Sequence, residues 1–382
     1  MLCDTLPPLP MDTRLGPLLA EARSATEDGR SAARFFDVSI TLPHYAIGKN
    51  TETLALHRIQ PLSGIIDDFA AAGACWQGIP LLSAAAADRQ ALIANCASSI
   101  SPVAVNHRLM SAGFQSIYRL DELIPASAGR LPWPDFVVSM RAEIDHHLDR
   151  WEKIFDVLAD DESKHTFLDV TRYRLTANWQ FMKEYRVRTH EQYFEDFMDY
   201  RHEVFVDAGG FDGDTAEAFA QRYPDYKKII VFEPSPDNMA LAHWRLASYR
   251  NIDFHPLGLS DQREILKFNP DAGPASSVSN KGATHIQADT LDASVEEPVS
   301  FLKMDLEGWE MRALAGARGH LLHDSPKLAI AVYHDSPDLR HVFEFIKGLG
   351  IPGKFYLRHY TQGWSETILF FLPMQSHPQA MR

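Results

Sequence analysis

A short glycine-containing segment follows an apolar run and has the residue types best suited to holding a ligand. Residues 204–207 are an apolar run that ends on an acid, and Ala208-Gly209-Gly210-Phe211-Asp212-Gly213-Asp214-Thr215 follows it. Glycine tolerates positive φ angles and lets the backbone pass close to a ligand. The spacing is Asp-x-Gly-x-x-x-Gly, which differs from the G-x-G-x-x-G of dinucleotide sites.

The acid that precedes these glycines limits the kind of ligand. A carboxylate there would repel a pyrophosphate, but it suits a ligand that carries an amine and no phosphate. S-adenosylmethionine is such a ligand, because it has an α-amino group and a sulfonium cation. Asp207 could instead be only a helix N-cap. We predict that the cofactor is contacted by Asp207, Gly209, Gly213, Asp214 and Thr215.

Glu233 is a second acid at the end of an apolar run, in Val231-Phe232-Glu233-Pro234. It follows the glycines by roughly 20 residues, the spacing at which a carboxylate usually accepts hydrogen bonds from ribose hydroxyls. Together with Asp207 it indicates an adenosine ligand without phosphate, although a Glu before Pro is often only a strand terminator. Asp261 follows Leu257-Gly258-Leu259-Ser260, and its position predicts a contact with the adenine.

A later group of polar residues could carry the chemistry of transfer. Lys303 and Asp305 alternate, so they point to one face of a strand. Methyl transfer to a hydroxyl needs a base or a metal to remove the proton, and Asp305 or His334 could be that base. Asp305 and Glu307 could instead hold a divalent cation. The structural alternative is that Glu307 and Glu310 stabilise a helix N-terminus and that Lys303 pairs with an acid.

The predicted elements bring these residues to one edge of a sheet. From about residue 203 apolar strands alternate with helices, which predicts a mostly parallel α/β sheet with an antiparallel hairpin at its end. In such sheets the ligand crevice lies at the carboxyl ends of the strands. The predicted strands are 204–207, 228–233, 252–257, 301–305, 327–332, 354–359 and 367–372.

The preceding half of the chain predicts further parts. We assign an N-terminal arm to residues 1–33, a small Rossmann-like α/β domain to 34–131, a helical bridge to 132–190 and the domain with the candidate site to 191–382. A nicotinamide-dependent oxidoreductase would need a glycine-rich turn in the small domain, where only Gly48 is present. Asp67 and Asp68 of that domain could recognise an acceptor.

Composition excludes several classes of partner. The formal net charge of the 382 residues is −14, which argues against nucleic acid and against anionic membrane surfaces. No apolar run approaches the length of a membrane span. The three cysteines are widely spaced, so a reducing cytoplasm is expected. The sequence leaves open whether the chain forms a homo-oligomer.

The C-terminal half, from Gln192 onward, resembles the FkbM-like family of S-adenosylmethionine-dependent methyltransferases. The motifs, in order, are Gln192-Tyr193-Phe194, Val206-Asp207-Ala208-Gly209 with Gly213-Asp214-Thr215, Phe232-Glu233-Pro234, Ser276-Ser277, Thr290-Leu291-Asp292, Leu302-Lys303-Met304-Asp305-Leu306-Glu307-Gly308-Trp309-Glu310, Tyr333-His334 and Arg358-His359-Tyr360. The resemblance implies a Rossmann-like class I methyltransferase that usually acts on oxygen, and it suggests that Ser277 contacts the cofactor or the substrate. Gly210-Phe211-Asp212 departs from the commonest form of the first loop.

The resemblance extends, in weaker form, to the first half, which is similar to a degenerate nucleotide-fold module that some members carry. The expected function is O-methylation of a hydroxyl on a small molecule or glycan. The alternative is a non-catalytic cofactor-binding module in a glycan or natural-product assembly pathway.

Overall fold

The computed structural model describes residues 14–24, 29–269, 277–278 and 284–374. The chain divides into two compact units. The N-terminal unit comprises residues up to 156 together with 161–189 and 359–366, and the C-terminal unit comprises 157–160, 190–358 and the residues from 367 onward. The main division, after residue 189, lies next to the predicted start of the second domain, and the residues assigned to arm, small domain and bridge fall almost entirely within one unit.

The N-terminal unit is built on a parallel sheet whose strands are short apolar runs. Its strands are β1 (His44–Ile47), β2 (Gly64–Ile66), β3 (Cys75–Trp76), β4 (Ile79–Leu82), β5 (Leu92–Asn95) and β6 (Ser116–Arg119). They lie in the order β3-β4-β2-β1-β5-β6, and all neighbours are parallel except β3 and β4. β1 and β5 are buried along their whole length, as expected for the centre of a sheet with both faces covered.

Among the described residues, six α-helices accompany this sheet: α1 (Leu15–Ser24), α2 (Thr51–Ile59), α3 (Pro102–Ser111), α4 (Leu120–Ala126), α5 (Asp135–Val157) and α6 (Asp161–Thr176). α2 begins after Asn50, whose side chain accepts a hydrogen bond from the Thr53 amide. The predicted helical bridge contains α5 and α6, and α5 has a kink at His147.

The C-terminal unit contains a seven-stranded sheet that places the candidate site. Its strands are β7 (Val204–Ala208), β8 (Lys228–Phe232), β9 (Ile252–His255), β14 (Phe301–Met304), β15 (Lys327–Ala331), β16 (Gly353–His359) and β17 (Thr367–Pro373). Their order is β16-β17-β15-β14-β7-β8-β9. The five strands from β15 to β9 are parallel, and β17 is antiparallel to β15, which confirms the predicted mostly parallel sheet with an antiparallel end.

The helices of this unit are α7 (Asp214–Arg222), α8 (Pro236–Arg245), α9 (Leu291–Ser294), α10 (Glu310–Gly316), α11 (Arg318–His323) and α12 (Asp338–Gly348). Aromatic packing joins α7 to the sheet. The rings of Phe205 and Phe301 on adjacent strands are stacked at 4.8 Å between centroids, and Phe219 of α7 lies 4.5 Å from the Phe205 ring. This packing fixes where α7 begins, and therefore where the glycine segment before it lies.

A second, four-stranded sheet in this unit has no counterpart in the sequence-based assignment. Its strands are β10 (Gly258–Leu259), β11 (Glu264–Asn269), β12 (Ser277–Val278) and β13 (Thr284–Asp289), in the order β10-β13-β11-β12. These strands are short, and β11 and β13 mix charged with apolar residues, so they lack the continuous apolar runs that marked the main sheet. None of the helices in the described ranges is long and apolar enough to cross a membrane.

Candidate active site

The first loop of the site contains glycines that the protein itself requires. Gly209 has φ +77°, and a Cβ atom there would lie 2.0 Å from the backbone oxygen of Asp305. The amides of Gly209 and Gly210 both donate to the carbonyl of Phe232, at 3.0 and 2.9 Å. The loop is therefore held tightly between the ends of β14 and β8. Gly213, at φ +84°, then starts α7 as its N-cap residue.

Glu233 links this loop to the start of α8. Its buried carboxylate accepts hydrogen bonds from the amide of Phe211 at 3.1 Å and from the amide of Ser235 at 2.8 Å, and Asn238 Nδ2 lies at 3.3 Å. Burial raises the pKa of Glu233 and these hydrogen bonds oppose the rise. A carboxylate can accept about four hydrogen bonds, so Glu233 retains capacity for about one more, such as a hydrogen bond from a ribose hydroxyl.

Asp207 lies in a buried ion pair with Lys303. The two residues are directly paired on β7 and β14, and Lys303 Nζ lies 2.9 Å from the Asp207 carboxylate, with side chains 3% and 0% exposed. The same ammonium donates to the carbonyl of Gly209 at 2.8 Å. Burial disfavours the charged amine, but Asp207 and Asp305 raise the pKa of Lys303, so it stays protonated. The pair thus holds the loop carbonyl, and the buried Asp207 side chain lies behind that loop.

Asp305 follows β14, at the carboxyl end of the sheet. Tyr193 donates its hydroxyl to Asp305 Oδ2 at 2.7 Å, and the hydroxyl of Tyr333 lies 3.4 Å from both carboxylate oxygens. Tyr193 has a left-handed backbone conformation, with φ +74°. Sequence reasoning placed Tyr193 only within a family motif, because nothing local connects it to a carboxylate 112 residues away.

His334 lies among three carboxylates. Its Nε2 is 3.4 Å from Asp305 Oδ1 and 3.6 Å from Glu307 Oε2, and its Nδ1 is 3.2 Å from Glu310 Oε1. The ring is 10% exposed, and burial opposes its protonation. The hydrogen bond to Glu310 and the charges of the three acids outweigh burial and raise the pKa of His334 to about 10. An imidazolium cannot accept a proton, so this arrangement favours Asp305 over His334 as the base.

The same cluster bears on the predicted cation site. Single ligand atoms of Asp305, Glu307 and His334 all lie within 4.8 Å of one another, which is close enough to share one ion. The donor set of two carboxylates and one imidazole suits a transition metal better than magnesium. Histidine binds a metal only when it is deprotonated, so an ion would have to displace the proton of His334.

The remaining candidates lie around this centre. Asp214 and Thr215 form the first turn of α7, where Asp214 Oδ1 accepts a hydrogen bond from the Thr215 amide at 2.7 Å. Asp261 is exposed and forms an ion pair with Arg312, whereas Glu310 accepts a hydrogen bond from the Leu306 amide at 2.7 Å. Ser277 lies on β12, but its side chain is outside the described residues, as is the whole of Ser276.

The structure brings most of the predicted site residues to one edge of the sheet. Lys303 pairs with Asp207, and the Gly209 backbone lies against the Asp305 carbonyl at the end of β14. Glu233 contacts the same loop by accepting a hydrogen bond from the Phe211 amide. Asp261 accepts hydrogen bonds from Ser260 and Arg312. Contacts of these residues with a cofactor remain predictions.

Comparison with known proteins agrees with this geometry. Residues 207–351 match the family model described as the methyltransferase FkbM domain. A methyltransferase FkbM from Methylobacillus flagellatus KT is 21% identical, with 94% of this chain and 99% of that chain covered and a TM-score of 0.71, a likeness that shows a shared fold.

Two further solved structures are more distant. An rRNA methylase from Streptococcus thermophilus is 19% identical over 46% of this chain and 88% of its own, with a TM-score of 0.32. Fibrillarin from Aeropyrum pernix, bound to S-adenosylmethionine, is 13% identical over 45% of this chain and 67% of its own, with a TM-score of 0.31. Neither score is high enough to support an argument. No curated protein is significantly similar in sequence.

The family match covers the first loop, Glu233, Asp305 and His334, the residues that the geometry places at the carboxyl edge of the sheet. The resemblance stated from the sequence is therefore confirmed for residues 207–351, which match the methyltransferase FkbM domain.

Proposed function

We propose that the C-terminal unit is an O-methyltransferase, which moves the methyl group of S-adenosylmethionine to a hydroxyl of a small molecule or glycan. The observation that carries the proposal is the place of Asp305. Its carboxylate follows β14, beside the turn at Gly209, and is held by the hydroxyl of Tyr193. A neutral hydroxyl is a poor nucleophile, and a carboxylate at this position supplies the base that transfer to oxygen needs.

Each residue around the proposed base has a separate role in the reaction. S-adenosylmethionine supplies a methyl group made electrophilic by the sulfonium. Asp305 accepts the proton of the acceptor hydroxyl, while Tyr193 and Tyr333 fix the orientation of its carboxylate. The surrounding acids raise the pKa of His334 to about 10, so its imidazolium partly balances their negative charge. Glu233 and the loop at Gly209 supply the surface for the nucleoside part of the cofactor.

The experiment that tests this proposal follows the label from methyl-tritiated S-adenosylmethionine into a small-molecule and glycan extract of cells that contain the protein. We expect a methyl ether. Asp305→Asn should lower the turnover rate about a hundredfold or more, because general-base catalysis contributes roughly that much. Binding of S-adenosylmethionine should change little in this variant. Glu296→Gln, which alters an exposed acid of the same unit, is the control.

The outcomes separate the alternatives. Label on nitrogen or carbon would contradict transfer to oxygen. Full activity in Asp305→Asn would contradict the assigned base. Binding of the cofactor without transfer to any component of the extract would favour the non-catalytic module instead.

A metal-assisted version of the same reaction has one specific observation in its favour, the grouping of Asp305, Glu307 and His334. A bound cation would lower the pKa of a hydroxyl and reduce the need for a base. Activity that is lost with a chelator, restored by manganese or zinc, and lost again in Glu307→Gln would support this version. Activity that a chelator leaves unchanged would exclude it.

A further inference from the structure

The N-terminal unit contains a cavity that none of the proposed chemistry uses. Its volume is about 890 Å³, within the range of pockets that bind small ligands. It lies at the carboxyl ends of the parallel strands, where Gly48 and Lys49 follow β1, Asp67 and Asp68 follow β2, and Ala97 comes soon after β5. In open parallel sheets this edge is where ligands bind.

The strand order makes this position a topological switch point. β1 and β5 are neighbours at the centre. The connection after β1 leads to β2 on one side and the connection after β5 leads to β6 on the other, so the two connections leave in opposite directions. A crevice opens between the two connections, and residues that follow β1 and β5 line it. The cavity is therefore a consequence of the fold and would persist if single lining residues were changed.

Asp67 is placed to accept hydrogen bonds from a ligand. Its Oδ2 accepts from Lys49 Nζ at 2.8 Å and its Oδ1 accepts from the amide of Phe69 at 3.0 Å. The hydrogen bond from Lys49 lowers the pKa of Asp67, which keeps the carboxylate charged. An acid directly after the second strand of such a sheet is the group that holds the ribose diol of a nucleotide.

The rest of the cavity suits a single nucleoside better than a dinucleotide. Apolar side chains, among them Ile66, Ile100 and Val105, form a wall for a base, and Phe69 at 94% exposure is available to cover it. At the turn after β1 only Gly48 has a positive φ, and Lys49 stands where a close backbone approach to a pyrophosphate would require another glycine. Lys49 and Arg108 are the cations that could meet a single phosphate.

We propose that the N-terminal unit binds a ribonucleoside group, alone or as its 5′-monophosphate, with the ribose diol on Asp67. This site is independent of the proposed methyl transfer. The diol donates two hydrogen bonds to a carboxylate that is already ionised and oriented, and the base packs on the apolar wall of the cavity. Lys49 exchanges its bond with Asp67 for one with the phosphate when a phosphate is present.

The test is a titration of the full chain with the four common ribonucleosides and their 5′-monophosphates. Binding is monitored by ligand-observed NMR. Comparison of each nucleoside with its monophosphate decides whether a phosphate contributes. The 2′-deoxy forms test the diol. We expect binding of at least one ribonucleoside or its monophosphate, weakened about tenfold or more by removal of the 2′-hydroxyl and by Asp67→Asn, because each removes a hydrogen bond to a charged group.

Three further substitutions test whether the ligand binds in this cavity. Ala104→Phe places a ring in the cavity from an exposed position on α3, so it should abolish binding without disturbing the core. Met110→Phe, at another exposed position of the same helix, is its matched control and should bind normally. Glu233→Gln should also bind normally, since it alters only the C-terminal unit.

Two results would overturn the proposal. The first is no binding of any of these ligands at millimolar concentration. The second is binding that survives Ala104→Phe and is lost in Glu233→Gln, which would assign the nucleoside to the C-terminal unit.

Discussion

Replacing Lys303 by methionine should destabilise the C-terminal unit far more than removing an ordinary salt bridge. Lys303 and Asp207 are 2.9 Å apart with side chains 3% and 0% exposed, so water cannot replace the lost partner. The substitution keeps the length of the side chain but leaves the Asp207 carboxylate buried without its cation. It also removes the donor to the Gly209 carbonyl.

The magnitude follows from this burial. Removing one partner of a buried pair costs about 3–5 kcal/mol in the free energy of unfolding, because an uncompensated charge remains in a low dielectric. Removing one partner of an exposed pair costs about 0–1 kcal/mol. Lys153 and Asp149 form such an exposed pair, 3.5 Å apart with side chains 73% and 72% exposed, so Lys153→Met is the matched control.

The assay is urea unfolding at pH 7, monitored by circular dichroism. The unfolding curve is fitted with a separate transition for each of the two compact units. We expect the double variant Asp207→Asn with Lys303→Met to lose less stability than the sum of the two single losses, because neither buried charge remains. A loss below about 1 kcal/mol for Lys303→Met, or strictly additive losses, would refute the buried-pair account.

Three other expectations concern single residues. Gly209→Ala should reduce both the melting temperature and cofactor affinity, since a Cβ would lie 2.0 Å from the Asp305 carbonyl oxygen; a normal melting curve would contradict this. Tyr193→Phe should lower the turnover rate several-fold and leave the dissociation constant of S-adenosylmethionine unchanged, because its hydroxyl donates to the proposed base; equal changes in both would argue against that role. Burial, with Arg188 and Arg174 nearby, lowers the pKa of His359 from 6.5 to about 3. A histidine kept neutral in the fold contributes stability above pH 6.5 that is lost as the pH falls, by about 2 kcal/mol between roughly pH 7.5 and 5. His359→Gln should flatten this part of the stability curve, and an unchanged slope would contradict the assignment.

The seven-stranded sheet could be predicted because its strands carry a local signal. Continuous apolar runs such as Val204–Ala208 and Lys228–Phe232 need no knowledge of distant residues to be recognised. The four-stranded sheet could not be predicted in this way. Its strands are held by pairing between segments such as β11 and β13, and their polar, partly exposed residues do not show which segment lies opposite.

The candidate site, too, could be predicted only in part. The types and strand-end positions of Asp207, Glu233 and Asp305 were visible in the sequence, since parallel strands end at one edge. The partners were not visible. That Lys303 neutralises Asp207, and that three acids charge His334, depends on which strands are neighbours. The preference for Asp305 over His334 as the base therefore required the structure.

The most direct test of the central claim is calorimetric titration of the purified chain with S-adenosylmethionine and, separately, with NAD. We expect binding of S-adenosylmethionine at one site, strongly weakened by Glu233→Ala and unaffected by Asp67→Asn. A well-folded chain that binds no S-adenosylmethionine, or that binds NAD instead, would contradict the assignment of the cofactor site to the C-terminal unit.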